Sequence, residues 1–559
     1  MRIGRLTAVA TLLGVLCALP VASVFVNLLA RGTPGTWEHL AQTVLPEYAA
    51  NTLWVLVGVG IGVIAVGVTT AWFTTMHEFP GRRVFEWSLI LPLAIPAYVI
   101  AFVYTDFLQF VGPVQSWLRG VTGWSRRDYW FPDVRSLGGA IAMFILTLYP
   151  YVYLLARAAF LERSASLLEA GRTLGLGSLG IFFRLALPLA RPAVVAGAAL
   201  ALMEAIADFG AVAYFGVPTF TTGIYQAWFS MGDRVIAAQL SASLLGFVAL
   251  VLLLERLSRG RKRFHETSQR TRPASRQRLS GGSAFAAATT CAIPLALGFL
   301  LPAGLLLRMA IGEGDARFGT HFVQLTMNSL MLAAITSALL VAFALMMAYN
   351  ARLHPGLFSV NLNRVAGLGY AVPGLVIAVG VLIPLAHFDN ALDAWMRSSF
   401  GISTGLLLTG SIVALVVAYM VRFFSVALQT AEASLGRVRP SMDDAARSLG
   451  CGPVESLLRI HVPIVARGLF TAALLVFVEV MKELPATLVM RPFNFDTLAT
   501  QIYTLAHDER LAEASTAALA IVAAGLIPLV IISRNIAKAR GATSVEAAPD
   551  GRAAEFASR

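Results

Sequence analysis

Apolar runs of about twenty residues, each long enough to cross a bilayer, alternate with short polar stretches along nearly the whole chain. Spans are predicted over 6–30, 51–75, 88–109, 138–159, 192–214 and 234–254. Six more follow over 285–308, 326–349, 365–386, 404–424, 468–490 and 513–533. The first run follows Arg2 and Arg5 and exceeds the apolar core of a cleaved leader, so it is expected to remain as a span.

The second six spans repeat the first. Asn51-Thr52-Leu53 returns as Asn328-Ser329-Leu330, and Ile95-Pro96-Ala97-Tyr98-Val99-Ile100-Ala101 as Val372-Pro373-Gly374-Leu375-Val376-Ile377-Ala378, both at an offset of 277 (328 − 51 and 372 − 95). An even number of spans per repeat gives both halves one orientation. That argues against the inverted repeats of many secondary transporters, although parallel repeats occur there too. Between the halves lies an arginine-rich stretch, Glu255 to Ser283, which has too little apolar character to build a core. With the N-terminus inside, Arg82, Arg83 and this stretch all fall on the cytoplasmic face. Residues 110–137, which carry four arginines, are then external and form a mild exception.

Composition agrees: 57% of residues are hydrophobic and 13% charged, where a soluble domain carries about a quarter charged. The net charge of +12 reflects arginines beside spans and gives no reason to expect nucleic acid. Cys17, Cys291 and Cys451 are too dispersed for a disulfide framework or a metal cluster.

One polar stretch is also duplicated. Glu169-Ala170-Gly171 is followed by Gly175, Leu185, Leu187 and Pro188; Asp444-Ala445-Ala446 is followed at the same spacings by Gly450, Ile460, Val462 and Pro463. The two copies are related by an offset of 275 (444 − 169). Ser166-x-x-Glu169 and Ser441-x-x-Asp444 predict capping boxes, Gly175 and Gly450 predict left-handed helix ends, and Pro453 with Glu455 predicts the first turn of a second helix. Pro188 and Pro463 are expected to break the chain before the next span.

This pattern resembles the coupling loop of the membrane subunits of binding-protein-dependent ABC importers. The resemblance implies a short helix-turn-helix that docks on a separate ATPase subunit and passes its closure to the spans. Gly171 in place of a second alanine, and Asp444 in place of glutamate, are mild departures from that pattern.

No phosphate-binding G-x-x-x-x-G-K-[ST] loop occurs, so any ATP must be bound by a partner and no cofactor is expected here. Serine-hydrolase and zinc signatures are also missing, which argues against a membrane enzyme. The charges that stand out lie in the fifth and eleventh spans: Glu204 and Asp208, and Glu479, Lys482 and Glu483. The acids match at the repeat offset (204 + 275 = 479; 208 + 275 = 483). An i, i+4 spacing puts each pair on one helical face, and Lys482 is placed to pair with Glu479. Four carboxylates around a central path would tolerate a cation; the same groups would equally serve as structural ion pairs at a helix interface.

Around these acids, Glu204-x-x-x-Asp208-Phe209-Gly210 and Glu479-Val480-Met481-Lys482-Glu483-Leu484-Pro485-Ala486-Thr487, the sequence resembles the fused twelve-span permeases of bacterial ferric iron importers. That resemblance covers all but the linker and tail. It implies an all-α polytopic inner-membrane permease, with a first half over 1–256, a basic cytoplasmic linker over 257–283, a second half over 284–536 and a disordered cytoplasmic tail over 537–559. It implies an ATPase dimer and a periplasmic solute-binding protein as partners, and ferric iron as solute. Thiamine or an organophosphonate is the alternative solute, and an ion-gradient-driven secondary transporter the alternative class.

Overall fold

The computed structural model describes residues 5–28, 35–162, 171, 173, 175–259, 276–312 and 319–546. Among them, twelve helices are long and apolar enough to cross a membrane. The first six are Leu6–Asn27, Leu45–Met76, Ala97–Thr122, Leu137–Leu161, Ser178–Ala207 and Arg234–Ser258. The second six are Gly281–Gly312, Thr320–Leu353, Gly374–Phe400, Ile412–Leu435, Pro453–Met481 and Leu511–Pro528. The protein is an all-helical polytopic membrane protein; among the described residues there is one two-residue parallel pairing, of His77–Glu78 with Gln277–Arg278.

The repeat holds element by element. The starts of the third and ninth spans differ by an offset of 277 (374 − 97), those of the fourth and tenth by 275 (412 − 137), and those of the fifth and eleventh by 275 (453 − 178). The duplicated asparagines show why they recur. Asn51 Nδ2 donates to the Pro218 carbonyl at 2.9 Å and Asn328 Nδ2 to the Asp496 carbonyl at 3.0 Å, so each ties its span to a bend that has no helical partner for that oxygen.

Several span boundaries differ from the hydropathy reading. The third and ninth spans begin at Ala97 and Gly374, not 88 and 365, because Ile95 and Val372 precede prolines and are held extended (φ −99°, ψ 120°; φ −90°, ψ 125°). The fifth and eleventh begin well before 192 and 468. Pro188 and Pro463 do not break the chain as expected: a π-helical turn precedes each, Phe182–Ala186 and Leu457–His461, and the helix runs on. A proline crowds the carbonyl four residues back, here residues 184 and 459 inside those turns, and the wider π turn accommodates it. The sixth helix extends to Arg259, and the last runs to Glu546, into the stretch expected as a disordered tail.

The halves are interlaced. The first span packs on the sixth span of its own half and reaches across to the second: Gly14 lies against Leu362, Gly380 against the Pro20 backbone, and Thr7 Oγ1 donates to Asn350 Oδ1 at 3.0 Å. The seventh span makes the reciprocal crossing, with Tyr104 Oη donating to the Leu297 carbonyl at 2.5 Å and Gly298 against the Leu146 carbonyl.

Small residues allow the closest helix contacts, as expected where apolar burial gives no drive between helices. A Cβ at Gly67 would lie 2.7 Å from Val152 Cβ and 2.9 Å from the Tyr149 carbonyl oxygen, and one at Gly197 2.8 Å from Val152 Cα. The matching second-half positions are Ala344 (67 + 277) and Ala472 (197 + 275), both fully buried. Gly67→Ala is expected to cost about 1–3 kcal/mol through overpacking, whereas Gly246→Ala, with open space around it, gains helix propensity. Thermal melts in detergent should fall for the first variant and hold or rise for the second.

Candidate functional site

Two regions emerge: the duplicated loop and a chamber where spans of both halves meet. In the first loop, Glu169 and Ala170 lie outside the described residues. Gly171 is buried, and a Cβ there would sit 2.6 Å from Leu185 Cδ1, so that side chain would have to shift to admit an alanine. The second copy holds Ala446, also buried, with Ile460 at the position matching Leu185. Both copies close the same way: Leu176 N donates to the Gly171 carbonyl and Cys451 N to the Ala446 carbonyl, each at 3.0 Å. Gly175 (φ +79°) and Gly450 (φ +80°) are left-handed as predicted, and Pro453 and Glu455 open the second short helix.

The expected capping box at Ser441 does not form. Pro440 occupies the first helical turn, where its missing N–H costs nothing, so the helix Pro440–Ser448 starts ahead of Ser441 and has no side-chain cap. Asp444 is exposed with Ala445 and pairs with Arg447 at 2.9 Å. The anchoring acid is its neighbour. Asp443 Oδ2 receives Arg352 Nη2 at 2.7 Å and its Oδ1 lies 2.7 Å from His461 Nε2, while Arg352 also donates to the Leu435 and Val438 carbonyls at 2.7 and 2.8 Å. This network ties the loop helix to the end of the eighth span and to the π turn of the eleventh. Sequence reading missed it because Arg352, Asp443 and His461 belong to three separate elements and no motif spacing links them. Each loop also exposes apolar side chains at matching positions, Leu179 with Val454 and Phe183 with Leu458.

The chamber gathers all five charged residues singled out in the fifth and eleventh spans. Glu204, Asp208, Glu479, Lys482 and Glu483 line a cavity of about 100 Å³ together with Arg422, Tyr98 and Tyr151. The acids do not share one helical face per half as expected. The fifth span ends at Ala207 and Asp208 is extended (ψ 138°); the eleventh ends at Met481, before Glu483. Each second acid therefore turns to a new short helix. Asp208 Oδ1 accepts from Ala211 N at 2.8 Å and Glu483 Oε1 from Ala486 N at 3.1 Å, matching positions in the repeat.

The acids are duplicated but their partners are not. Lys482 Nζ lies 2.8 Å from Glu479 Oε1, the expected pair, and Arg422 Nη1 3.2 Å from Glu483 Oε1. Tyr370 Oη donates to Glu204 Oε1 at 3.1 Å. At the matching first-half positions stand Ala207 (482 − 275), Thr147 (422 − 275) and Leu93 (370 − 277). Gly374 makes room for the ion pair, since a Cβ there would collide with Arg422 Nη1; its first-half counterpart is Ala97. Sequence reading missed Arg422 and Tyr370 because neither has a counterpart at the repeat offset. Four carboxylates against two cations leave a formal excess of two negative charges (4 − 2). Among the described residues no group of three or more His, Cys, Asp or Glu is disposed to hold a metal ion.

Residues 58–263 match the family of binding-protein-dependent transport system inner membrane components. The chain is 27% identical over 532 residues to the Fe(3+)-transport system permease protein FbpB 2 of Haemophilus influenzae, covering 94% of this chain and 97% of that protein. It is 22% identical over 533 residues to the ferric transport system permease protein FbpB of Actinobacillus pleuropneumoniae, covering 90% and 73%. The molybdenum transport system permease protein ModB of Escherichia coli is 28% identical over 234 residues, which is 96% of ModB but 39% of this chain. ModB thus matches a stretch shorter than one half of this duplicated chain.

Replacing Gly450 tests the loop geometry. A side chain there meets no atom, but a left-handed φ costs a branched residue about 1–2 kcal/mol. Gly450→Val should speed tryptic cleavage at Arg447 roughly tenfold by opening the turn, while Gly450→Asn, which tolerates this φ, stays near wild type.

Proposed function

We propose that this chain, a fused two-repeat permease subunit of a binding-protein-dependent ABC importer of the inner membrane, carries ferric iron across that membrane. The observation that carries the solute is the chamber: four carboxylates contributed in matching pairs by both halves, in excess over their cations, beside the break of two spans. Carboxylates are hard oxygen ligands suited to a hard cation. Charges at membrane depth are retained where they serve a path. Similarity over nearly the whole chain to permeases named for ferric iron supports the same solute.

In this reading the chain hydrolyses nothing. A dimer of separate ATPase subunits binds the ATP, one subunit under each loop, and a periplasmic binding protein delivers the iron. Glu169, Asp444 and their neighbouring turns form the docking helices. What supports this is the pair of like-built loops, each closed by the same backbone hydrogen bond across a left-handed glycine. Because the second helix of each loop is continuous with the fifth or eleventh span, a push on the loop reaches the chamber acids along one rigid element. Both termini and the linker lie on the cytoplasmic face with the loops.

Uptake of radiolabelled ferric iron by iron-starved cells tests this. Deleting the chain should abolish uptake and restoring it should recover it. Glu169→Arg combined with Asp444→Arg should cut uptake at least tenfold with normal membrane insertion. Uptake indifferent to the chain removes iron as the solute and turns the test to thiamine or a phosphonate. Undiminished uptake by the double variant removes the docking role of the loops.

A further inference from the structure

We infer that Tyr98 is a cargo-contacting residue of the chamber, its hydroxyl oxygen receiving the cation or a water bound to it in transit. This rests on the cation-import reading above and adds to it a residue that none of the acid motifs contains.

Tyr98 stands in the first turn of the third span, directly after the proline break, and lines the chamber with its side chain 3% exposed. Its hydroxyl has no hydrogen-bond partner. The other polar side chains of that wall are engaged. Arg422 and Lys482 hold Glu483 and Glu479, Tyr370 holds Glu204, Asp208 takes an amide, and Thr147 donates to the Met143 carbonyl at 3.0 Å. Leaving a buried hydroxyl unpaired costs free energy that a phenylalanine would not incur. Packing does not call for the oxygen: the ring lies against Phe102, with centroids 5.8 Å apart, and against Gly210, where a Cβ would sit 2.7 Å from Tyr98 Cβ. A buried oxygen kept without a partner on a residue that lines an acid-rich cavity points to a partner that comes and goes.

The chemistry of that partner follows from its surroundings. Asp208 and Glu483, one from each half, line the same cavity as Tyr98. Phenol and carboxylate oxygens together make a hard donor set. A cavity of about 100 Å³ has room for a cation together with several waters. The second half has Leu375 at the matching position (98 + 277). The first half thus supplies the hydroxyl and the second the three side chains that hold the acids.

Tyr98→Phe keeps the ring and removes the oxygen. The test uses the full chain assembled with its ATPase subunits in proteoliposomes, supplied with ferric-loaded binding protein. The variant should import iron roughly tenfold more slowly, as loss of one polar contact to a charged cargo predicts. Stimulated ATP hydrolysis should stay at the wild-type rate and the melting temperature should hold or rise. Import at the wild-type rate overturns the inference. So does slow import accompanied by a lower melting temperature, which makes the hydroxyl structural, or by slower ATP hydrolysis, which places Tyr98 in coupling. A wild-type assembly that imports no ferric iron overturns the functional reading itself, and is told apart because it fails before any substitution is made.

Discussion

Backbone amides and carbonyls at membrane depth have no water to turn to, so a span that stops must find partners for its loose ends within the protein. This chain stops four spans near one place. The third and ninth begin after Pro96 and Pro373, and the fifth and eleventh end at Ala207 and Met481. The carboxylates Asp208 and Glu483 meet that need at the latter pair, each taking an amide of the short helix that follows. The interruption of the helices and the acidity of the chamber are therefore one fact. Ending a span there requires acceptors, and acceptors there make a polar path.

Symmetry holds in the backbone and fails in the side chains. Spans, π turns, bends and both acids recur at offsets of 275 to 277, yet Arg422, Lys482 and Tyr370 come from the second half and Tyr98 from the first. The loops show the same divergence. The second is clamped by Arg352, Asp443 and His461, whereas the positions matching Asp443 and His461 hold Leu168 and Ala186 (443 − 275; 461 − 275). Duplication supplied a scaffold of two like halves around one cavity, and later substitution made its walls unequal.

Much of this was legible in the residues. Hydropathy found all twelve spans, and the repeated Ile-Pro-Ala-Tyr and Val-Pro-Gly-Leu stretches and the acid pairs at a shared offset found the chamber's frame. Apolarity alone cannot say where a helix begins, because Leu91 to Ile95 and Gly367 to Val372 are as apolar as the spans they precede; the prolines decide that. Prolines also misled, since Pro188 and Pro463 read as breaks and are carried by π turns. The motif drew attention to Asp444, while the anchoring carboxylate is Asp443, whose partners are distant in the chain. Repetition revealed what both halves share and hid what one half has alone, which is why Arg422 and Tyr370 emerged only in three dimensions.

The exchange of first spans between the halves bears on how the molecule is made. A helix that enters the bilayer near the start of synthesis rests finally against Gly380 and Leu362, residues translated hundreds of codons later. The opening segment therefore gains the sixth span of its own half first and completes its contacts only when the ninth span arrives. Neither half can mature as a finished unit while the other is still emerging. Fusing them in one chain guarantees that the awaited neighbour is always the right one and always nearby.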